Sequence, residues 1–190
     1  CELHVIDIGM KSDMENGRQQ RVIRAGENAT FICSFEDRKI AHGTKNMAKE
    51  PAMTREQALA AIGVGRDKAK ELKKQGVEIV SAGEMGIGKT TTSTAIIAVM
   101  CEKVPSEITS VGAGVGDGGI PQKIKVIEQA IALWHPKKED PLSALSCLGG
   151  FDIAGLCGFY IGAAESGLPV ILVRPRNAAF VQMCPRKMPV

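Results

Sequence analysis

Aromatic side chains are scarce in this 190-residue chain: one Trp, one Tyr and five Phe, 4% in all. That argues against base-stacking platforms and sugar-stacking clefts. An excess of one charge is missing too. Twenty-four Lys and Arg stand against 21 Asp and Glu, a net +3, which supplies no basic face for nucleic acid. No apolar run reaches the ~18 residues of a membrane-spanning helix, so no membrane partner is expected. Metal-ligand spacing is also lacking. The cysteines Cys1, Cys33, Cys101, Cys147, Cys157 and Cys184 form no C-x-x-C pair, and the three histidines are scattered. No zinc site is expected, and the thiols read as buried or incidental in a reducing, cytoplasmic compartment. The opening Cys1-Glu2-Leu3-His4 has no basic stretch followed by an apolar one, so no signal peptide is expected. It also has no initiator Met, and the expectation is a chain cut from something longer or processed.

What is present suits a folded α/β domain. Hydrophobic residues make up 44% and charged residues 24%, near the average of soluble domains. A chain this long buries roughly 70% of its unfolded surface, enough to fold without a staple. Its 21 glycines mark places where backbone turns tightly or approaches something closely.

Leu3 to Ile8 reads as a buried strand, Lys11 to Asn28 as loop, and Thr30 to Phe35 as another short strand. His42 to Met47 is a loop leading to Pro51. Thr54-Arg55-Glu56-Gln57 is a capping-box pattern opening a helix, with Leu59, Ile62, Ala69 and Leu72 near helical spacing and Gly76 as the stop. Val77 to Val80 is a strand, Ser81 to Gly88 a glycine-rich turn, and Thr90 to Cys101 an apolar helix. Gly112 to Gly119 is a second glycine-rich loop. Pro121 to Trp134 is an amphipathic helix with Ile124, Ile127, Ile131 and Trp134 on one side. Asp140-Pro141 opens a short helix ending at Gly149-Gly150. Phe151 to Ala164 carries Gly155, Gly158 and Gly162, which permit close helix packing, and Pro169 to Val173 is a further strand.

The alternation predicts an α/β fold with a mostly parallel, Rossmann-like sheet flanked by helices, incomplete at both ends. The expected organisation is one domain over residues 1–173 and a divergent tail over 174–190. Glycine loops that follow strands then lie at the carboxyl edge of the sheet, where such folds bind ligands.

Gly83-Glu84-Met85-Gly86-Ile87-Gly88-Lys89-Thr90 satisfies G-x-x-x-x-G-K-[ST] between a predicted strand and a predicted helix. One reading is a P-loop ATP or GTP hydrolase over Gly83 to Thr90, with Lys89 on the terminal phosphates and Thr90 on magnesium. Two features oppose it. The later apolar strand ends toward Arg174 rather than in the acid that orients the metal, and Glu84 puts a carboxylate among the phosphates.

Gly-Glu-Met-Gly-Ile-Gly followed by x-Thr-Thr resembles the signature loop of the nicotinate-nucleotide–dimethylbenzimidazole phosphoribosyltransferases, which make the lower ligand of cobalamin. Val5 to Gly9, His42 to Met47, Pro51 to Glu56, and Gly149 to Gly155 through Gly162 to Ala164 resemble further segments of that family, in family order, over roughly residues 3 to 172. The resemblance implies transfer of the phosphoribosyl group of nicotinate mononucleotide to 5,6-dimethylbenzimidazole, releasing nicotinate and forming α-ribazole phosphate. It implies small-molecule substrates, no cofactor, no metal, and a homodimer.

Residue by residue, the resemblance places Glu84 near the reacting ribose or the nicotinate side, in a supporting catalytic role. It puts Gly86, Gly88, Thr90 and Thr91 at the phosphate, and Gly112, Gly114 and Lys123 on the nucleotide. Lys89 stands where the family usually has Asn, and adds a cation beside the expected phosphate. Ser110 and Val111 replace a usual Gly and Arg, while Gly116 and Gly118 stand where the family tends to be acidic. The family's earlier Asp-His-Gly segment, and its later Gly-Glu-Gly-Thr-Gly segment with the expected base, do not occur in this sequence. A truncated, weakly active transferase is therefore the expectation, with the hydrolase and a non-catalytic nucleotide-binding or dimerising remnant as alternatives. The small residues of 151–164 suit either a dimer interface or packing within one chain.

Overall fold

The computed structural model describes residues 2–13, 19–24, 30–110 and 119–172. They form two compact units, residues 1–43 and residues 44–190. The predicted second glycine loop and divergent tail lie largely outside the described residues.

The first unit is a three-stranded sheet in the order β1-β3-β2: β1 (Glu2–Asp7), β2 (Gln19–Arg24) and β3 (Thr30–Asp37). β1 runs parallel to β3, Val5 opposite Phe35, and β2 runs antiparallel to it, Val22 opposite Ile32. β2 corrects the expected loop over Lys11 to Asn28, and it is the one antiparallel pairing among the described strands, which are otherwise parallel as expected. β1 is not the buried strand expected, since Leu3 and Val5 are both exposed. The unit has no helix among its described residues to lay over that face. Asp7, at the end of β1, is buried. Its Oδ1 accepts from the N–H groups of Gly9 (3.0 Å) and Met10 (2.8 Å), which forms the turn after the strand.

The second unit holds α1 (Arg55–Lys74), β4 (Val80–Ala82), α2 (Lys89–Met100), the single turn α3 (Pro105–Ile108), α4 (Ile120–Trp134), α5 (Pro141–Leu148), α6 (Phe151–Ser166) and β5 (Val170–Leu172). α1 begins with the predicted capping box. Thr54 Oγ1 accepts from Gln57 N–H at 3.1 Å, and Gln57 Oε1 accepts from Thr54 N–H at 3.0 Å. The same closure ends α1 and α6. After α1, Gly76 turns left-handed (φ 85°), its N–H reaches Lys73 O at 3.1 Å, and Val77 N–H reaches Leu72 O at 3.1 Å. After α6, Gly167 (φ 63°) donates to Ala164 O and Leu168 to Ala163 O at 2.8 Å. Each closure turns the chain into a strand. This corrects the start of β4: Val77 closes the helix, so pairing begins at Val80. β4 and β5 then run parallel, with Val80 opposite Val170 and Ala82 opposite Leu172. Leu72, Leu168, Ala69 and Ala163 form the buried cluster beneath them.

α1 and α6 lie backbone against backbone. A methyl placed on Gly158 would meet Ile62 O at 1.8 Å, one on Gly65 would meet Gly155 O at 1.8 Å, and one on Gly162 would meet Arg66 O at 2.4 Å. Glycine is the residue that permits this separation. The approach also decides which face of α1 is buried. Ala58, Ala61, Gly65 and Ala69 face inward, whereas Leu59, expected on the apolar face, is 55% exposed. Farther along, Ile96 of α2, Ile127 of α4, Leu148 of α5 and Ile153 of α6 are fully buried. The Trp134 indole N–H at the end of α4 donates to Met47 O at 2.7 Å, which ties that helix to the segment before α1.

Candidate active site

The chain leaving β4 runs through Gly83 to Gly88 into α2. Gly88, left-handed at φ 78°, is the residue before the helix, and Lys89 is its first residue. The first N–H groups of any helix lack an intrahelical acceptor, so this end offers donors to an anion. Thr91 N–H returns to Gly88 O at 2.9 Å and closes the first turn.

Side chains alternate along the loop. Met85 is 97% exposed and Ile87 is fully exposed, whereas the Glu84 side chain between the strand and Met85 is only 8% exposed. Lys89 folds back over this glutamate. Its Nζ donates to Glu84 O at 2.9 Å and lies 2.7 Å from Glu84 Oε2, as an ion pair outside hydrogen-bonding geometry. Oε2 is thus buried, balanced in charge, and without a hydrogen bond.

α4 supplies a second cation. Lys123 is only 8% exposed, although it sits on a helix whose sequence offers no obvious reason to bury a lysine. Its Nζ donates to Thr90 Oγ1 at 3.0 Å and to Ser110 O at 3.4 Å. The Thr90 carbonyl in turn accepts from Thr94 Oγ1 at 2.7 Å. The Lys89 and Lys123 ammonium groups, the Glu84 carboxylate and the Thr90 hydroxyl therefore meet at the first turn of α2.

The structure brings together Glu84, Gly86, Gly88, Lys89, Thr90, Thr91 and Lys123, of which only Lys123 is distant in sequence from the rest. Gly112 and Gly114 fall outside the described residues. One further group was not anticipated. Asp152, in the first turn of α6, reaches the loop: a methyl on Gly86 would lie 2.7 Å from its Oδ2, and one on Gly150 would lie 2.3 Å from its Oδ1. Burial pushes the Asp152 carboxyl above its ordinary value of 3.8. The charge of Glu84 adds to the rise, while the backbone of Ile153 and the Lys89 ammonium oppose it. In the sequence Asp152 lies two residues after Gly149-Gly150, inside the family-like segment Gly149 to Gly155, which carries no site role by itself.

The loop's G-x-x-x-x-G-K-[ST] spacing does not translate into a phosphate-ready lysine, because Lys89 is engaged by the loop's own carbonyl and carboxylate. No group of three or more His, Cys, Asp or Glu suited to a metal occurs among the described residues. No helix among them is long and apolar enough to cross a membrane.

Comparisons with known proteins point one way. The family model described as phosphoribosyltransferase matches residues 1–173. The nicotinate-nucleotide–dimethylbenzimidazole phosphoribosyltransferase of Clostridium tetani is 39% identical over 172 residues, which are 90% of this chain and 43% of that protein. The protein of the same name from Geotalea uraniireducens is 47% identical over 172 residues, 90% of this chain and 45% of its own length. The crystal structure of CobT from Thermus thermophilus superposes with a TM-score of 0.79 at 29% identity, covering 95% of this chain and 50% of that one. The chain thus spans about half the length of the relatives it matches. With the family model covering nearly all of the sequence and the solved structure sharing its fold, the chain belongs to the phosphoribosyltransferase family.

Proposed function

We propose that this chain carries the nucleotide-binding part of an enzyme that moves the phosphoribosyl group of nicotinate mononucleotide to 5,6-dimethylbenzimidazole. The observation that supports the reading best is the convergence of Lys123 from α4, Thr90 and Lys89 from α2, and the buried Glu84 carboxylate at one glycine loop. The names borne by the relatives agree with it.

The chemistry assigns each group a task. In the transfer, a ring nitrogen of the benzimidazole bonds to C1′ of the ribose. The bond from C1′ to the nicotinate nitrogen breaks, its electron pair leaves with nicotinate, and the acceptor's ring proton passes to a base. Positive charge grows on the ribose meanwhile, and the Glu84 carboxylate is the group in this chain suited to stabilise it. The substrate phosphate needs cations and donors. The Lys123 ammonium, the Thr90 hydroxyl and the N–H groups around Gly86, Gly88 and Thr91 supply them, with Lys89 joining once phosphate draws it from Glu84. Gly112 and Gly114 complete the nucleotide contact in this reading. The ring-proton acceptor of the family lies on a Gly-Glu-Gly-Thr-Gly segment that these 190 residues do not include. By itself the chain is expected to bind nucleotide and to turn it over weakly or not at all.

The substrates are small molecules, in keeping with a cytoplasmic setting. Homodimer formation belongs to the proposal as well. The glycines of α6 meet α1 of the same chain, so a dimer would use another surface, and the mass in solution by light scattering tests it.

Calorimetric titration with nicotinate mononucleotide, with magnesium-ATP as competitor, tests the reading. Binding that ATP does not displace supports it. Magnesium-dependent ATP binding without affinity for nicotinate mononucleotide overturns it in favour of a nucleotidase.

A further inference from the structure

Two glycines on separate segments, Gly86 in the loop and Gly150 before α6, flank a single carboxyl group. A methyl on either would fall within 2.7 Å of an Asp152 oxygen, and the one on Gly86 would also lie 3.5 Å from Lys89 Cβ. The absence of side chains at both positions is what lets Asp152 reach the loop. Beside it lies Glu84 Oε2, buried and without a hydrogen bond, on a side chain only 8% exposed. Of the two carboxylates only Glu84 is paired with Lys89, at 2.7 Å, while Asp152 lies close enough to feel the charge of both.

We propose that Asp152 is a positioning residue for this loop: held between Gly86 and Gly150, it competes with Glu84 for Lys89 and so acts as a brake on anion binding at the start of α2. The proposal rests on the phosphate-binding role given above to the loop. It deepens that role by adding regulation through a residue that neither the loop motif nor the family resemblance assigned.

The charges that face Asp152 are Glu84 from the loop and Lys89 from α2, and α6 contributes the Ile153 backbone. The cations of α1 that reach α6, Arg66 and Lys70, pair with Glu165 at its other end. The sign then follows. With Asp152 protonated, Glu84 and Lys89 balance, and an incoming phosphate meets little opposing charge. As pH rises through the raised Asp152 value, the second carboxylate ionises, holds the ammonium more firmly and repels the anion.

The first test needs no ligand. In isotopically labelled protein, the Asp152 carboxyl carbon and the amides of Glu84, Gly86 and Lys89 are followed by NMR as pH is raised. The expectation is a shared transition, centred above the ordinary 3.8, whose component in the amides disappears in Asp152→Asn. Loop amides that do not follow the carboxyl, or that behave identically in Asp152→Asn, overturn the proposal. If Asp152→Asn fails to fold, Gly86→Ala displaces the carboxyl from the loop side and is expected to uncouple the same resonances. Unchanged coupling in that variant overturns the proposal as well.

The second test is nicotinate mononucleotide affinity for wild type and Asp152→Asn at each pH, taken as a ratio so that ionisation of the phosphate cancels. The wild type is expected to bind equally well in acid and about threefold to tenfold more weakly near neutrality, in line with one added nearby charge. A ratio that stays at unity while both proteins bind overturns the brake and leaves the proposed function standing. A titrating loop in a protein that never binds the nucleotide supports the positioning by Asp152 and counts against the function.

Discussion

Glycine does opposite work in two parts of this molecule. Along α1 and α6 it removes side chains so that two backbones can touch: methyl groups on Gly65 and Gly158 would strike carbonyl oxygens at 1.8 Å. At the loop before α2 it removes a side chain so that a carboxyl group can enter, Asp152 Oδ2 lying 2.7 Å from the position of a methyl on Gly86. The first arrangement is rigid on both sides. The second is rigid on one side and mobile on the other, because a carboxyl can rotate away and a carbonyl inside a helix cannot. The lesson is that an unusual glycine content does not point to one cause. A scaffold and a site draw on the same residue, and only the neighbour tells them apart.

Substitutions should separate the two uses. Gly158→Ala is expected to show the largest effect, a loss of about 3 kcal/mol or more in urea unfolding, because neither helix can retreat without separating from the other. Lys123→Met comes next. It keeps the stem and deletes the buried ammonium at Thr90, and is expected to weaken nicotinate mononucleotide binding about tenfold in calorimetry, with little change in melting temperature. Gly86→Ala should lower stability by less than about 1.5 kcal/mol, since its neighbour is the end of a side chain. A cost equal to that of Gly158→Ala would erase the distinction between scaffold and loop. Gly63→Ala, on α1 with nothing within 4 Å of the added methyl, should raise stability by about 0.5–1 kcal/mol.

The smallest effect belongs to Glu165, which grips α1 from α6. Arg66 and Lys70 hold its carboxyl at about 2, well below the ordinary 4.5. A depressed carboxylate stabilises the fold above its unfolded value. That contribution fades as pH falls from about 4.5 toward about 2. Melting curves over that window should show the fade in wild type and not in Glu165→Gln, with salt reducing the difference because the pair is exposed to solvent.

Much of the second unit was legible because its signals are local. The Thr54–Gln57 capping box, the Gly76 stop, Pro121 at the start of α4 and the Asp140 cap all depend on neighbours within a few residues. The resemblance of the glycine loop to a known family was legible for the same reason. What escaped depends on partners distant in sequence. β2, Gln19 to Arg24, carries only two apolar residues and exists by pairing with β3. The buried face of α1 is made of Ala and Gly, because α6 comes too close for Leu59. α3, a single turn, has no period to read. Lys123 was expected near the nucleotide only through family resemblance, and its burial follows from Thr90 and Ser110, which belong to other segments. Asp152 was invisible as a site residue because the two glycines that admit it stand 64 positions apart, at Gly86 and Gly150.

Trp134 gives the chain a built-in optical reporter. It is the only tryptophan in the sequence, so the intrinsic emission excited selectively from indole comes from one place. Its N–H is tied to Met47 O at the end of the helix that carries Lys123 near its start. Any event that shifts α4 along its axis, whether an anion drawing on Lys123 or a loosening of the segment before α1, alters that bond and with it the colour of the emitted light. Rapid-mixing fluorescence can therefore time such events on unlabelled protein.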